Sequence, residues 1–169
     1  MKGVTSYKGF AGYYFRFLIG QIIKLGKLKR SDITILDFGC GKGRLKQLLK
    51  NSKVIGYDVV RDLSDINDWR TLDFDVLVAN EVFYTFKRDD LNKLLIELKQ
   101  KNKSLELIVG ISRQGFLNKV GMYLLGRPKA HSNTKLKPKE EIYILKQHCF
   151  VLKEANILFL AYIFVLRFK

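Results

Sequence analysis

The stretch Ile33-Thr-Ile-Leu-Asp-Phe-Gly-Cys-Gly-Lys-Gly-Arg44 decides the fold. Its first half, Ile33 to Asp37, is a short apolar run rich in β-branched residues, the pattern of a buried strand. Its second half sets glycines at 39, 41 and 43, which let a backbone pass close to a ligand and turn sharply. Arg44-Leu-Lys-Gln-Leu-Leu-Lys50 follows as a short helix, with Leu45, Leu48 and Leu49 expected inward. A helix N-terminus at that point offers free N–H groups and a positive dipole end to polar ligand atoms. Arg44 occupies the position where the dinucleotide fingerprint G-x-G-x-x-G requires its last glycine, and the P-loop pattern G-x-x-x-x-G-K-[ST] is absent. Neither of those two phosphate-binding turns fits.

Working outward, the second half of residues 7–28 reads as helix. Phe15, Leu18, Ile22 and Leu25 recur at helical spacing, with Lys24 and Lys27 off that stripe. Glycines at 9, 12 and 20 weaken its front end. Downstream, Lys53-Val-Ile-Gly-Tyr57 is a strand ending at Asp58, and Phe74-Asp-Val-Leu-Val-Ala79 is another. Asp89 or Asp90 is expected to cap a helix through Lys99 that faces inward with Leu91, Leu94, Leu95 and Leu98. Leu105-Glu-Leu-Ile-Val109 is a further strand. A helix around Lys139 to His148 leads into two β-rich runs, Phe150 to Phe159 and Tyr162 to Phe168, too closely joined to pair other than antiparallel.

Alternating strands and helices imply right-handed crossovers and helices on both faces of a sheet. The expected fold is α/β: a three-layer, Rossmann-like doubly wound sheet, mostly parallel, closed by an antiparallel C-terminal hairpin strand. The span 59–72 is short for a helix plus a third strand, and is expected to shrink to one turn and a vestigial edge strand. With 169 residues, one domain is expected: a cap segment 1–30, a core 31–111, a lid insertion 112–138 and a terminal helix with hairpin 139–169.

Composition bounds the partners. Lys and Arg number 31 against 16 Asp and Glu, a formal charge of +15. Such a field draws a protein toward nucleic acid, an anionic membrane surface or an acidic substrate, although solvated lysine faces alone produce the same count. Cys40 and Cys149 stand far apart without CxxC spacing, which disfavours a disulfide framework or zinc site and suits a reducing cytosol. The apolar stretch Phe10 to Ile23 is broken by Arg16 and glycines, unlike a signal peptide. Ile157 to Leu166 falls well short of the roughly 20 residues a membrane helix needs. A cytoplasmic protein without a transmembrane segment is expected, peripheral membrane contact being a further option.

Asp37-x-Gly-Cys-Gly-x-Gly43 resembles motif I of the class I, Rossmann-like S-adenosylmethionine-dependent methyltransferases. Asp58, one short helix and one strand later, matches the acidic residue that holds both ribose hydroxyls in that family; a carboxylate suits the task because it accepts two hydrogen bonds. The resemblance extends through Phe74 to Tyr84 and the terminal hairpin. It implies S-adenosylmethionine as cofactor, held by Asp37, Gly39, Cys40, Gly41, Gly43, Asp58 and Val59. Asp65, with Ile66 against the ring, is the expected adenine contact, with Asp62 and Asp68 as competitors. Trp69 either covers the base or belongs to the core.

Asn80 and Glu81 follow a strand at the carboxyl edge, where open α/β sheets bind ligands. Asn80 is expected at the methionyl end. Glu81 is expected either to meet substrate and take a proton or to serve as a structural carboxylate. Tyr7, Tyr13 and Tyr14 lie in the cap segment, where one aromatic face would attract the sulfonium. Substrate contacts are assigned to Tyr13, Tyr84, Arg113 and Arg127. Asn118 and Lys119 add to a basic lid. His131, in a polar loop, is a better candidate base than His148, which is expected to be structural.

The implied activity is methyl transfer to oxygen, nitrogen or carbon of a small-molecule or lipid- or glycan-linked acceptor, with no metal demanded. An RNA methyltransferase is the alternative that the charge suggests, although Asn80-Glu-Val-Phe83 is not the Asn/Asp-Pro-Pro-Tyr/Phe pattern of many nucleic-acid enzymes. A membrane-surface enzyme, suggested by the aromatics and cations of residues 10–30, and a non-catalytic S-adenosylmethionine-binding module remain as further classes.

Overall fold

The computed structural model describes residues 9–113, 134–157 and 160–169. The chain forms two compact units, Met1–Ala79 and Asn80–Lys169.

In the first unit, α1 (Gly9–Leu25) begins earlier than its glycines suggest. It buries Leu18, Ile19, Ile22 and Ile23, while Phe15 and Leu25 are half-buried, so the inner stripe is turned toward Ile19 and Ile23. Its end is a Schellman turn. Lys27 adopts φ 49, its N–H bonds to Lys24 O at 3.3 Å, and Leu28 N–H bonds to Ile23 O at 3.0 Å. Leu28, fully buried, supplies the apolar contact that accompanies this cap.

Three parallel strands follow: β1 (Thr34–Phe38), β2 (Lys53–Tyr57) and β3 (Val76–Asn80). β1 lies between the other two, with Ile35 opposite both Val54 and Val76. The helix α2 (Arg44–Leu48) is shorter than expected. Leu45 and Leu49 are buried, but Leu48 is 40% exposed and does not join them. Leu49 already leaves helical geometry at φ −112 and ψ 52, so the three-leucine face cannot persist.

The span after β2 also differs from expectation. Among the described residues it holds no edge strand, only single 3₁₀ turns at Arg61–Leu63 and Trp69–Thr71. Asp65 takes the place of the strand. Its N–H donates to Gly56 O at 2.9 Å, and its Oδ2 accepts from Gly56 N–H at 2.7 Å. One residue thus satisfies both main-chain groups of Gly56 on the free edge of β2. Trp69 is core: its ring stands edge-on to Phe38 and Phe74, at 6.2 and 6.4 Å between centroids.

In the second unit, α3 (Arg88–Lys101) buries Leu91, Leu94, Leu95 and Leu98, each contributing about 1.5–3 kcal/mol. Lys87 stands at its N-cap. Asp89 and Asp90, expected as caps, lie in the first turn instead, where their charges favour the positive end of the helix. β4 (Glu106–Ser112), β5 (Cys149–Ile157) and β6 (Ala161–Phe168) form an antiparallel set in the order β4-β6-β5. The expected hairpin is present, running from Cys149 opposite Phe168 to Ile157 opposite Ala161, with an irregularity between Val151 and Lys153. α4 (Pro138–His148) leads into it. Pro138 suits a first helical turn, and Glu140 accepts from Lys137 N–H at 3.0 Å.

The fold is therefore α/β with parallel strands followed by an antiparallel C-terminal set. No helix among the described residues is long and apolar enough to cross a membrane, and none of the described His, Cys, Asp and Glu residues group as a metal site.

Candidate functional site

The loop after β1 owes its shape to three left-handed glycines: Gly39 at φ 76, Gly41 at φ 52 and Gly43 at φ 65. Residues with a Cβ pay about 1–2 kcal/mol for that conformation. The loop is drawn onto the end of β2: Gly39 N–H and Cys40 N–H both donate to Tyr57 O, at 2.7 and 3.1 Å. Gly43 N–H turns back to Cys40 O at 2.9 Å and opens α2.

Asp58 completes this arrangement. Its Oδ2 accepts from Gly41 N–H at 3.0 Å and its Oδ1 from Val60 N–H at 2.9 Å. Val59, between them, is 89% exposed. Ser64 Oγ accepts from Asp58 N–H at 3.2 Å and donates to Ile66 O at 2.6 Å, which ties Ile66 to the tip of β2.

Electrostatics around the loop are dominated by carboxylates. Burial, then the nearby charges of Asp58 and Asp65, push the Asp37 carboxyl up to about 7. Burial and the same acidic group push the Cys40 thiol up to about 12. Cys40 is therefore a protonated donor, directed at Leu63 O at 3.2 Å, and not a nucleophile. Asp65 differs. Burial works upward on it, but the Gly56 N–H and the Lys46 ammonium outweigh that and hold it below the usual carboxylate range. Lys46 Nζ lies 3.0 and 2.9 Å from its two oxygens.

A cavity of about 360 Å³ opens beside the loop, lined among others by Asp37, Gly41, Gly43, Lys46, Gly56 and Asp65. Gly56 marks a close approach here, since a Cβ would lie 2.8 Å from Cys40 Sγ and 3.3 Å from Asp65 Oδ2. Lys46 and Gly56 were absent from the sequence expectations. An isolated glycine inside a strand signals such a close approach, whereas nothing marks Lys46 among so many lysines.

In the second unit, Asn80 Oδ1 is buried without a hydrogen-bond partner among the described residues and packs against Gly110, where any Cβ would collide with it. Glu81 adopts φ 56, its N–H donating to Gly110 O at 2.8 Å. Burial pushes the Glu81 carboxyl up to about 7. Burial, then Glu81, pushes Glu141 on α4 up to about 8. Glu141 is a further residue the sequence expectations passed over, although it shares the i, i+3, i+4 stripe of Ile144 and Leu145.

Tyr13 on α1 is 75% exposed. Tyr84 O accepts from Lys135 and Leu136 N–H groups at 2.9 and 3.1 Å. Arg113 donates to Asn156 Oδ1 at 2.8 Å and lies over the Tyr162 ring at 4.1 Å. His148 Nε2 lies 2.9 Å from Asn92 Oδ1. Burial and then Lys99 and Lys169 keep His148 below the usual histidine range. Tyr7, Asn118, Lys119, Arg127 and His131 lie outside the described residues.

Residues 10–109 match the methyltransferase-domain family Methyltransf_23. No curated relative matches the sequence. Among solved structures, the PH0226 protein of Pyrococcus horikoshii OT3 is similar at a TM-score of 0.70 and 17% identity, over 98% of this chain and 94% of that one. The magnesium protoporphyrin IX methyltransferase of Synechocystis PCC 6803, with bound SAH, is similar at a TM-score of 0.62 and 12% identity, over 96% and 90%. The 1,6-didemethyltoxoflavin-N1-methyltransferase of Burkholderia thailandensis, with 1,6-didemethyltoxoflavin and S-adenosylhomocysteine bound, gives a TM-score of 0.65 and 12% identity, over 93% and 80%. With a family match over most of the chain and the glycine loop folded onto the end of β2, this chain belongs to the Rossmann-like S-adenosylmethionine-dependent methyltransferases.

Proposed function

We propose that the protein transfers the methyl group of S-adenosylmethionine to a small-molecule acceptor, and that the loop Asp37 to Gly43 with Asp58 holds the cofactor. The observation that carries this reading is the contact of Gly41 N–H with Asp58 Oδ2 at 3.0 Å, in a glycine loop whose Gly41 and Gly43 line a cavity of about 360 Å³.

The donor set fits the group. Three left-handed glycines leave the main chain open to close approach, and Asp58 offers an acceptor carboxylate at the strand tip. The cavity lies within the size range of small-molecule sites, about 300–1,000 Å³.

When bound, the cofactor supplies an electrophilic methyl on sulfur. The chain's share is positioning. The loop fixes one end of the ligand through its main chain, and Asp58, already oriented by Gly41 and Val60, fixes another. Rigid orientation of this kind lowers the entropic part of a two-molecule barrier. Cys40, kept protonated, takes no covalent part. Glu81, which burial raises to about 7, is a carboxyl able to take up a proton near neutral pH.

Calorimetric titration with S-adenosylmethionine tests the binding half of this reading. Saturable one-site binding that Asp58→Ala weakens is expected, and no binding to the wild-type protein overturns it. Acceptor identity is tested by mass spectrometry on an acceptor panel, where a mass gain of one methyl group identifies the substrate.

A further inference from the structure

The two faces of α1 differ in kind. Leu18, Ile19, Ile22 and Ile23 are buried. Tyr13, Phe17, Gly20 and Lys24, at helical spacing, form an outward line instead. Tyr13 is 75% and Phe17 44% exposed, and a Cβ on Gly20 would meet nothing within 4 Å. Arg16 stands beside the rings, and the exposed Lys27, Lys29 and Arg30 follow the helix end. Ser52 Oγ donates to Leu28 O at 3.2 Å, which brings the exposed Lys50 and Lys53 to the same end of α1.

This face carries no counter-charge of its own. The first acid of the chain is Asp32, and none of the cations from Arg16 to Arg30 has an ion-pair partner among the described residues. An unneutralised cluster of that kind attracts a polyanion. Single exposed rings are ordinary on a protein surface. Two rings on one helix line, among cations and without an acid, have the composition of a helix that lies in a lipid interface. An outward helix line is also a ridge, whereas single-stranded nucleic acid is held in a charged groove.

We propose that the outward line of α1 and the cations after it dock the protein on an anionic lipid surface. The Tyr13 and Phe17 rings enter between the headgroups, and Lys24, Lys29 and Arg30 meet the lipid phosphates. The docking does not depend on the cofactor reading above.

The experiment is flotation of the full chain with vesicles of equal parts phosphatidylglycerol and phosphatidylcholine, and with phosphatidylcholine alone. It is run at about 0.15 M salt, where exposed charges more than ~8 Å apart are largely screened. Wild type is expected to float with the anionic vesicles and not with the neutral ones. Lys24→Gln/Lys29→Gln/Arg30→Gln is expected to partition at least roughly tenfold more weakly. Tyr13→Ser/Phe17→Ser is expected to lose about fivefold or more. Lys93→Gln/Lys103→Gln/Lys139→Gln removes as much charge from exposed positions of the second unit, and is expected to stay within about threefold of wild type. Thermal unfolding within a few degrees of wild type shows that each variant is folded.

Equal losses in the two triple variants would mean that net charge alone acts, and would overturn the proposal. So would flotation with neutral vesicles, or a ring variant that partitions as wild type does. Tighter binding to mixed-sequence single-stranded RNA, with the same dependence on Lys24, Lys29 and Arg30, would overturn it in favour of a nucleic-acid surface.

Discussion

Gly41 and Asp58, seventeen positions apart, meet through one hydrogen bond: the Gly41 N–H donates to Asp58 Oδ2 at 3.0 Å. The same carboxylate holds Val60 N–H through its other oxygen at 2.9 Å. Asp58 is therefore committed on both oxygens to the main chain and oriented before any ligand arrives. Replacing it leaves two main-chain donors without their charged acceptor, each such bond being worth about 1.5–3 kcal/mol. Asp58→Ala is expected to weaken S-adenosylmethionine binding by roughly ten- to a hundredfold, and Asp58→Asn by less, since an amide oxygen still accepts one bond. Calorimetry on the three proteins checks this. Equal affinities would mean that Asp58 shapes the loop without touching the cofactor.

Gly43 isolates the cost of backbone conformation. Its φ is 65, and a Cβ built there meets nothing within 4 Å. Any penalty on substitution is therefore torsional and not steric. Gly43→Ala is expected to destabilise by about 1–2 kcal/mol, roughly 2–8 °C in a chain of this size. Gly43→Asn is expected to cost less, because asparagine tolerates the left-handed region. Thermal unfolding that ranks alanine as the milder change would contradict the conformational account.

The alternation of apolar runs and glycine turns made the strand–loop–helix unit legible before the structure, because buried strands and left-handed turns each demand particular residue types. Asp58 was legible for the same reason, as the first polar residue after a buried strand. Leu48 misled because a five-residue helix does not sustain the 3.6-residue period that sequence counting assumes. The vestigial strand misled because Asp65 supplies with one residue the hydrogen bonds a strand would have made. Lys46 carried no signal, since long-range side-chain pairing leaves no local pattern in a lysine-rich chain. Glu141 did carry one, the helical spacing to Ile144 and Leu145, but an acid on an apolar stripe is easily passed over.

Glu141 makes stability depend on pH. It is 2% exposed, and burial, then Glu81, raises its carboxyl from the ordinary 4.5 to about 8. The folded protein thus keeps a proton that the unfolded chain releases above about 4.5. A native state that binds more protons loses stability as pH rises, here across the window from 4.5 to about 8. Glu141→Gln removes the titration. The variant and wild type are expected to unfold at similar temperatures near pH 4.5. By pH 8.5 the variant is expected to be ahead by at least about 1 kcal/mol, or roughly 2–4 °C. Melting curves with a pH-independent difference would show that Glu141 is already charged in the folded state.

Asn80 and Gly110 form a tight pair whose two members can be separated by mutation. A Cβ on Gly110 would collide with Asn80 Oδ1 and lie 3.5 Å from the Asn80 Cα. That oxygen is buried and without a partner among the described residues, so it contributes little that its removal would forfeit. Gly110→Ala is expected to destabilise by about 1–3 kcal/mol, the ordinary cost of overpacking. Asn80→Ala, which deletes an unsatisfied acceptor, is expected to be close to neutral. In the double variant the new methyl occupies the space of the missing amide, and most of the loss should return as a favourable coupling of about 1 kcal/mol or more. Additive losses in denaturant unfolding would show that Gly110 is held by its own strand conformation and not by the Asn80 side chain.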